Sequence, residues 1–541
     1  MPTRGPKPTC GQAVVQYLEA HGVTHVFGIP GNHTLELYRG LEGSAIHHVT
    51  TRHEQGAAFM ADGYARASGR PGVCFLISGP GLLNAATAIA QARADSIPML
   101  VVTAVAATGD LGQLRGNLHE LPDQRATAAG FCKASITITD PHDIARTIQQ
   151  AFQAFERERP GPIHIEMPLD LLSMQAPEQT PGATSPPPNI DHACLEQMAS
   201  ILRAADAPVC IVGGGALGAA RRIPVLAEHF DMPIVNTVNA KGACPESHSL
   251  FVGGSPSLSS VRELVSEADV VLAIGTEFGE TDYDLLMDEP FRIRGKLLRI
   301  DIDPDQLERN VAADVTLCAD AALAVDGLLD APGRQSRDAG RRAQKVRRQI
   351  LQEPHYHAEI AELFNAIRRA APELVLVGDS TRPTYYASWQ YECEQPRSYF
   401  HSVSGFGTLG YAIPAALGAR LATDRPVAAL IGDGGAQFTL PELATAVDNQ
   451  IGIPIIIWLN RGYEEIENSL AGRGIATSSA RISGPDFGQI AEAYECASQR
   501  PSNLHELQID LSAAFDRDRP TLILLDQDRF SSLPSGQWYA T

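Results

Sequence analysis

The sequence predicts an α/β protein built from three doubly wound, parallel-sheet domains. Its 541 residues suit about three or four domains, and a hydrophobic content of 44% is enough for several cores. Short apolar, β-rich runs alternate with helical patterns along most of the chain, which is typical of open parallel sheets. Segments 176–190 and 331–350 interrupt this alternation and indicate where the domains are joined.

These interruptions define three predicted domains at residues 1–175, 190–330 and 351–541. Segment 176–190 contains five prolines and few apolar residues, as linkers do. Segment 331–350 is basic and helical in its second half, and we interpret it as a solvated connector.

The predicted strands follow one another in a regular order. In the first domain, helices are expected at 12–20 and 55–68, with strands at 24–27, 45–51, 73–78 and 98–105. In the second domain, strands are expected at 208–215, 232–237, 270–274 and 297–302. In the third, the expected strands are 374–378, 427–431 and 454–459, and a helix follows Thr439, which forms a capping box with Glu442.

Composition narrows the function classes. A net charge of −20 argues against generic nucleic-acid binding, which needs a basic face. Nothing at the start resembles a signal peptide, and there is no apolar run of about 18 residues. Nine cysteines without a CxxC pair indicate a reducing compartment. We therefore expect a cytoplasmic protein without nucleic-acid or membrane partners.

Two loops of the third domain carry residues suited to chemistry. Asp433 and Asn460 each follow a predicted buried strand, so their side chains are expected at the same sheet edge. Their oxygens are hard ligands of the kind that Mg²⁺ or Ca²⁺ prefers, and Gly434 and Gly435 permit close approach of a phosphate to the backbone. Ser380 and Thr381 follow another strand and are candidates for binding the same phosphates.

This Gly-Asp-Gly motif, followed after about two dozen residues by Asn, resembles the thiamin diphosphate motif. The resemblance implies that Asp433, Asn460 and the carbonyl of Gly462 hold Mg²⁺ on the cofactor diphosphate. Leu459 departs from the common Asn-Asn pair, although the ligand position is kept. A second similar segment, Gly405 to Tyr411, implies that Gly407 and Leu409 contact the aminopyrimidine.

The first domain extends the resemblance. Its sequence "FGIPG…HEQGAAFMADGYAR…SGPG" looks like the pyrimidine-binding domain of the acetolactate synthase and pyruvate decarboxylase superfamily. By resemblance, Glu54 hydrogen-bonds N1′ of the aminopyrimidine, and the central and C-terminal domains are the middle and diphosphate-binding domains. The family also implies a homodimer or homotetramer with active sites between subunits.

Several polar residues are candidates for substrate chemistry. Asn32 and His33 lie on the turn after FGIPG, and His119 lies in a loop where related synthases carry Gln. We expect His33 and His119 to transfer protons. Two acidic residues, Asp282 and Glu465, are candidates for binding a cationic substrate tail, although Asp282 also fits a solvated acidic loop and Glu464 and Glu467 compete with Glu465.

Three functions remain open at this point. The resemblance favours non-oxidative decarboxylation of a 2-oxo acid to an aldehyde and implies a cationic, guanidino side chain on the substrate. The alternatives are an acetolactate synthase-like carboligase and a cofactor-binding protein without catalysis. FAD is not expected, because Glu277 lies two residues after Gly275, in the segment where acetolactate synthases tend to carry Arg, and a negative charge there would repel a diphosphate. The C-terminal residues 538–539 are a candidate cover for the site.

Overall fold

The computed structural model describes residues 7–178, 190–284, 290–334 and 338–530. Within these residues, three sheets of six, five and six strands form, and the strands within each sheet pair in parallel. Helices are interleaved with the strands throughout. This confirms the predicted α/β class with three parallel sheets.

The first sheet comprises strands β1 (His25–Gly28), β2 (His47–Thr50), β3 (Gly72–Leu76), β4 (Met99–Val105), β5 (Ala134–Thr137) and β6 (Pro162–Pro168). Their spatial order is β2-β1-β3-β4-β6-β5. The helices of this domain are α1 (Cys10–Ala20), α2 (Leu35–Leu41), α3 (Glu54–Ser68), α4 (Pro80–Ala94), α5 (Gln124–Ala129), α6 (Ile144–Arg157) and α7 (Leu169–Ser173).

The second sheet comprises strands β7 (Val209–Val212), β8 (Ile234–Asn236), β9 (Val270–Ile274), β10 (Lys296–Asp301) and β11 (Val315–Cys318). Their order is β11-β10-β9-β7-β8, so the order reverses between β9 and β7. The helices are α8 (His192–Ala204), α9 (Ile223–Phe230), α10 (Ser259–Glu267), α11 (Glu280–Tyr283), α12 (Pro304–Leu307) and α13 (Ala321–Leu329).

The third sheet comprises strands β12 (Val375–Gly378), β13 (Tyr399–His401), β14 (Val427–Gly432), β15 (Pro454–Leu459), β16 (Ala497–Gln499) and β17 (Thr521–Asp526). Their order is β13-β12-β14-β15-β17-β16. The helices that accompany this sheet are α14 (Ala339–Ile350), α15 (Ala358–Ala370), α16 (Arg382–Gln390), α17 (Ala412–Ala422), α18 (Asp433–Ala436), α19 (Glu442–Asp448), α20 (Glu464–Gly472), α21 (Phe487–Ala493), α22 (Leu504–Phe515) and α23 (Gln527–Phe530).

The second predicted boundary is not simply solvated. Helix α14 buries Ala339, Ala343, Val346 and Ile350, whose spacing places them on one helical face, so the connector packs into the core on that side. Most of the first boundary and residues 538–539 lie outside the described residues. None of the helices in the described ranges has the length and apolarity needed to cross a membrane.

Helices α3 and α17 pack closely and join the first domain to the third. A Cβ at Gly63 would lie 1.9 Å from the carbonyl oxygen of Ala415, and one at Gly418 would lie 1.9 Å from that of Met60. Because the contacts run forward along α3 and backward along α17, the two helices are antiparallel. The N-terminal end of α17 therefore lies against the C-terminal half of α3.

Candidate active site

The loops after β14 and β15 bring Asp433 and Asn460 to one edge of the third sheet. Asp433 is 3% exposed, and its Oδ2 accepts a hydrogen bond from the backbone N–H of Arg461 at 2.7 Å. Burial raises the pKa of Asp433, although nearby backbone N–H groups oppose that shift. Asp433 Oδ1 and Asn460 Oδ1 are both buried and, among the described residues, have no hydrogen-bond partner.

Two buried, unpartnered oxygens at one sheet edge fit a hard cation. No group of three or more His, Cys, Asp and Glu side chains in the described chain is suited to a metal. Mg²⁺, however, is commonly held by one or two carboxylates and completes its shell with phosphate oxygens and water. One carboxylate, one amide oxygen and a carbonyl such as that of Gly462 therefore form a set that fits Mg²⁺ on a diphosphate.

The glycines of this edge leave no room for side chains. A Cβ at Gly434 would lie 2.9 Å from the ring of Tyr463, and one at Gly435 would lie 2.9 Å from Asp379 Oδ1. A side chain at either position would therefore collide with Tyr463 or Asp379, which explains why both positions are glycine. The assignment of Gly434 and Gly435 to a diphosphate stays a prediction.

Asp379 organises the loop that carries Gly407 and Leu409. Its buried carboxylate accepts hydrogen bonds from the backbone N–H groups of Ser380, Gly410 and Ala412 at 2.9, 3.3 and 2.9 Å. Burial raises the pKa of Asp379 to about 6. Asp379 has no distinct signal in the sequence, because its role depends on a loop more than 30 residues away.

The two hydroxyl candidates beside Asp379 have different surroundings. Ser380 Oγ is 3.5 Å from the carbonyl oxygen of Thr408, in the same loop as Leu409. Thr381 is buried directly before α16. Leu409 is half-buried, and Gly407 is exposed with a positive φ of 72°.

The capping box predicted for Thr439 and Glu442 is wrong. The Thr439 hydroxyl donates to the carbonyl oxygen of Gly410 at 2.8 Å instead of capping α19. The Glu442 carboxylate accepts from the backbone N–H groups of Arg52 and His53 in the first domain. Both side chains found tertiary partners that local sequence does not reveal.

Three glutamates in α20 have different environments. Glu464 Oε1 accepts from Arg382 Nη1 at 3.1 Å and Gln527 Nε2 at 2.8 Å. Glu467 pairs with Arg481 at 2.7 Å on the surface. Both carboxylate oxygens of Glu465 are buried and lack a hydrogen-bond partner in the described part of the chain.

Burial raises the pKa of Glu465 to about 7; Arg382 opposes this shift and the neighbouring Glu464 adds to it. A buried carboxylate without a donor is costly, so such groups are usually paired or functional. Of the three glutamates, Glu465 is therefore the one available to a ligand.

Glu54, the candidate for binding the aminopyrimidine, lies in the first domain. Glu54 begins α3 and is 9% exposed, and its Oε2 accepts from Asn84 Nδ2 at 2.9 Å. A Cβ at Gly81 would lie 3.3 Å from Glu54 Oε1, so the first turn of α4 packs against this carboxylate. Asn84 was missed by the sequence analysis, since a polar residue one turn into a helix carries no distinct signal.

His33 and His119, the two candidates for proton transfer, lie next to each other. Their ring centroids are 5.0 Å apart at an interplanar angle of 64°, and His33 Nδ1 is 2.6 Å from Ser78 Oγ. Burial, followed by the charge of His119, lowers the pKa of His33. His119 has a positive φ of 62°, and its buried Nδ1 has no partner within the described residues. Asn32 is exposed at the start of the same short 3₁₀ turn as His33.

Asp282 lies elsewhere, in a cavity of about 340 Å³ that also borders Asp95, Asn239 and Lys241. Its Oδ1 accepts from the backbone N–H of Val238 at 3.1 Å. Burial, with a smaller contribution from Asp95, raises the pKa of Asp282 to about 6. The residues lining this cavity include neither Glu54 nor Glu465, so the structure does not bring Asp282 together with the other candidates.

The same cavity bears on the flavin question. It lies where the order of the second sheet reverses, at Gly214, Gly215 and Gly275, which is where such sheets commonly bind ligands. Glu277 borders it and pairs with Arg159 at 2.6 Å. The Glu277 carboxylate is the reason that FAD is not expected. The absence of FAD stays a prediction.

Glu54 is the first residue of α3, whereas the sheet edge that carries Asp433 and Asn460, here called the metal edge, connects through Asp379 to the first turn of α17. Tyr411, directly before α17, reaches Asp62 of α3 with its hydroxyl at 2.5 Å from Oδ1. Glu54 lies two turns earlier in α3, about 12 Å along the helix axis from Asp62. Asp379, in turn, binds the first turn of α17 and packs against Gly435.

Comparison with protein-family models gives three matches. Residues 8–127 match "Thiamine pyrophosphate enzyme, N-terminal TPP binding domain", residues 195–328 match the central domain, and residues 377–525 match the C-terminal TPP binding domain. Thiamine pyrophosphate is another name for thiamin diphosphate. The three matches together cover most of the chain.

Curated relatives cover nearly the whole chain as well. A "Probable 2-ketoarginine decarboxylase AruI" of Pseudomonas aeruginosa is 41% identical over 96% of this chain and 94% of its own length. A "Probable acetolactate synthase large subunit" of Methanocaldococcus jannaschii is 30% identical over 97% and 92%. The "Acetolactate synthase isozyme 3 large subunit" of Escherichia coli is 30% identical over 94% and 92%.

Proposed function

The chain belongs to the thiamine pyrophosphate enzyme family, and we propose that it is a decarboxylase that converts a 2-oxo acid with a cationic, guanidino tail to an aldehyde. The observation that carries the substrate proposal is Glu465, whose two buried oxygens lack partners among the described residues. The 41% identity to a relative named as a probable 2-ketoarginine decarboxylase supports the same substrate class.

We assign the cofactor contacts to both half-sites. Asp433, Asn460 and the Gly462 carbonyl hold Mg²⁺, and Ser380, Thr381, Gly434 and Gly435 lie against the diphosphate. Glu54 holds a proton for the aminopyrimidine, with Asn84 fixing its carboxylate. When bound, thiamin diphosphate supplies a nucleophilic carbon and an electron sink for loss of CO₂.

The first domain supplies the proton-handling groups in this proposal. His33 is held by Ser78 and faces His119, so the pair is positioned to deliver a proton to the product carbon. The lowered pKa of His33 favours a neutral ring near pH 7, which suits proton exchange with its neighbour. Asn32 is a candidate for contact with the substrate carboxylate.

A bound guanidinium would give Glu465 the partner it lacks. Pairing a buried carboxylate with a planar guanidinium forms strong, charge-assisted hydrogen bonds. Arg382 does not serve this purpose, because its Nη1 pairs with Glu464. Asp282 remains a second candidate for the cationic tail, from a separate cavity.

Acetolactate synthase-like carboligation is the second candidate function. It is favoured by the relatives of that name at 30% identity. Against it, the loop with His119 lacks the Gln that the family resemblance leads us to expect in a synthase, and the methyl group of pyruvate has no positive charge to pair with Glu465.

We propose that the active site is shared between two copies of the chain. The separation of Glu54 from the metal edge along α3 and α17 supports this, because one cofactor must contact both. Large apolar residues are exposed beside each half-site, at Leu35, Leu83 and Leu118 in the first domain and at Phe406, Phe438 and Ile466 in the third. We further propose that the protein is a cytoplasmic homodimer or homotetramer. The proposed domain limits are 1–175, 190–330 and 351–541.

The function is tested with purified protein, thiamin diphosphate and Mg²⁺. The substrates are 5-guanidino-2-oxopentanoate, a straight-chain 2-oxo acid of similar length with an uncharged side chain (below, the uncharged acid), and pyruvate. Release of CO₂ and a guanidino aldehyde is expected from the first, with a much lower kcat/KM for the second. Formation of acetolactate from pyruvate with no turnover of the guanidino acid would contradict the proposal.

A further inference from the structure

A row of hydrogen-bonded side chains in the third domain ends at Asn460. Trp458 Nε1 donates to Gln527 Oε1 at 2.7 Å. Gln527 Nε2 donates to Glu464 Oε1 at 2.8 Å. Asn460 Nδ2 donates to Glu464 Oε2 at 3.2 Å. The row starts at a fully buried indole on β15 and ends at the metal edge.

Chemistry fixes the direction of every bond in this row. An indole N–H only donates, so Gln527 must turn its carbonyl oxygen towards Trp458 and its NH₂ towards Glu464. An ionised carboxylate only accepts, so Asn460 must turn its NH₂ towards Glu464. The orientation of the Asn460 amide therefore follows from the partners of the row.

Glu464 is itself held from two sides. Arg382, which is 4% exposed, donates to the same Oε1 as Gln527, at 3.1 Å. A guanidinium only donates, so Glu464 Oε1 accepts from Arg382 as it does from Gln527. With its NH₂ bound to Glu464, Asn460 is left with a buried Oδ1 that has no partner in the described residues.

We propose that Glu464 is a positioning residue for the metal site, which sets the Asn460 amide so that Oδ1 and not Nδ2 faces Mg²⁺. The inference rests on the proposed function, in which Asn460 is a metal ligand. A reversed amide would point two N–H donors at the cation, which cannot ligate it. Groups that orient metal ligands in this way usually have large effects on metal affinity.

The substitution Glu464→Gln tests the inference with almost no change of shape. The new amide must present its oxygen to Arg382 and Gln527, which both donate at that position. Its NH₂ then faces Asn460, which must reverse its own amide to accept. We expect the Mg²⁺ dissociation constant, measured by calorimetry with saturating thiamin diphosphate, to rise roughly 10- to 100-fold.

A second substitution separates orientation from other effects. In the Glu464→Gln background, Asn460→Asp offers two equivalent oxygens, one to accept from the new amide and one to face the metal. We expect this double variant to recover Mg²⁺ affinity to within a few-fold of the wild type. The matched control is Glu495→Gln, since Glu495 pairs with Arg519 at the surface and is expected to leave Mg²⁺ affinity unchanged.

The outcomes are distinct. Unchanged Mg²⁺ affinity in Glu464→Gln would overturn the inference. Weakened affinity that Asn460→Asp does not restore would overturn it too, because Glu464 would then act through its charge or the fold. If the wild-type chain bound no Mg²⁺ with thiamin diphosphate, the proposed function would fail first, and the inference with it.

Discussion

Glu464 and Glu465 are consecutive residues whose carboxylates have opposite surroundings. Glu464 accepts hydrogen bonds from Arg382, Gln527 and Asn460, whereas both oxygens of Glu465 are buried without a partner among the described residues. One turn of helix thus provides a structural carboxylate beside the metal edge and a carboxylate available to substrate. This pair underlies three of the predictions below.

Glu465→Gln is expected to remove the preference for a cationic substrate. Loss of a hydrogen bond to a charged group costs about 1.5–3 kcal/mol, so kcat/KM for the guanidino acid should fall roughly 10- to 100-fold. The uncharged 2-oxo acid should be turned over at least as well as by the wild type. Steady-state kinetics with both substrates measures the ratio.

Glu467→Gln is the control for that experiment, because Glu467 pairs with Arg481 at the surface. If Glu467→Gln changed the ratio of the two substrates and Glu465→Gln did not, the assignment within α20 would be wrong.

Activity on the guanidino acid is expected to depend on pH through Glu465. Its pKa of about 7 means that the free site loses its negative charge as the pH falls from 8 to 6. KM for the cationic substrate should therefore rise over this range, while KM for the uncharged acid should not. The same pH profile for both substrates would contradict this role.

Glu465→Gln should also stabilise the protein at alkaline pH. A carboxylate whose pKa is raised from 4.5 to about 7 by folding destabilises the folded state above pH 4.5, and fully so above pH 7. The cost is on the order of 3 kcal/mol at pH 8 and much smaller at pH 5. Thermal unfolding of the variant and wild type, without substrate, should show a larger rise in melting temperature at pH 8. An equal rise in melting temperature at pH 5 and pH 8 would contradict the prediction that the ionised Glu465 carboxylate is buried.

The histidine pair is expected to affect turnover more than cofactor binding. His119→Asn removes the imidazole while keeping a residue that tolerates the positive φ of 62° at this position. We expect His119→Asn and His33→Gln each to lower kcat for aldehyde formation about 100-fold or more. Thiamin diphosphate affinity, followed by calorimetry, should change little. His142→Asn, at an exposed histidine of the same domain, should retain full activity.

Glu54→Gln tests the pyrimidine assignment. The amide keeps the shape of the side chain and can still face Asn84, but it cannot exchange a proton with the cofactor ring. We expect kcat to fall by about 100-fold or more with thiamin diphosphate binding largely intact. Near full turnover by this variant would remove Glu54 from the catalytic groups.

The sequence alone determined the three parallel sheets and the positions of the chemical loops. Alternating apolar runs and helical patterns are local properties, and parallel strands place their following loops at one edge. The resemblance of the Asp433 and Asn460 spacing, and of the HE and SGPG segments, to thiamin diphosphate enzymes then indicated the cofactor before any contact was known. Helix limits were close for the same reason, as Gly69 ended α3 with a left-handed cap.

Only the tertiary structure decided which polar groups are satisfied and which are available. Arg382 and Gln527 are 82 and 63 residues from Glu464 in the sequence. The fold brings both to Glu464, where they donate hydrogen bonds to its carboxylate and not to that of Glu465. The Thr439 hydroxyl likewise donates to the carbonyl oxygen of Gly410 and does not cap a helix. Asp282 borders a cavity whose lining residues do not include Glu465. The energy of a polar side chain depends on partners brought by the fold, and local sequence does not specify them.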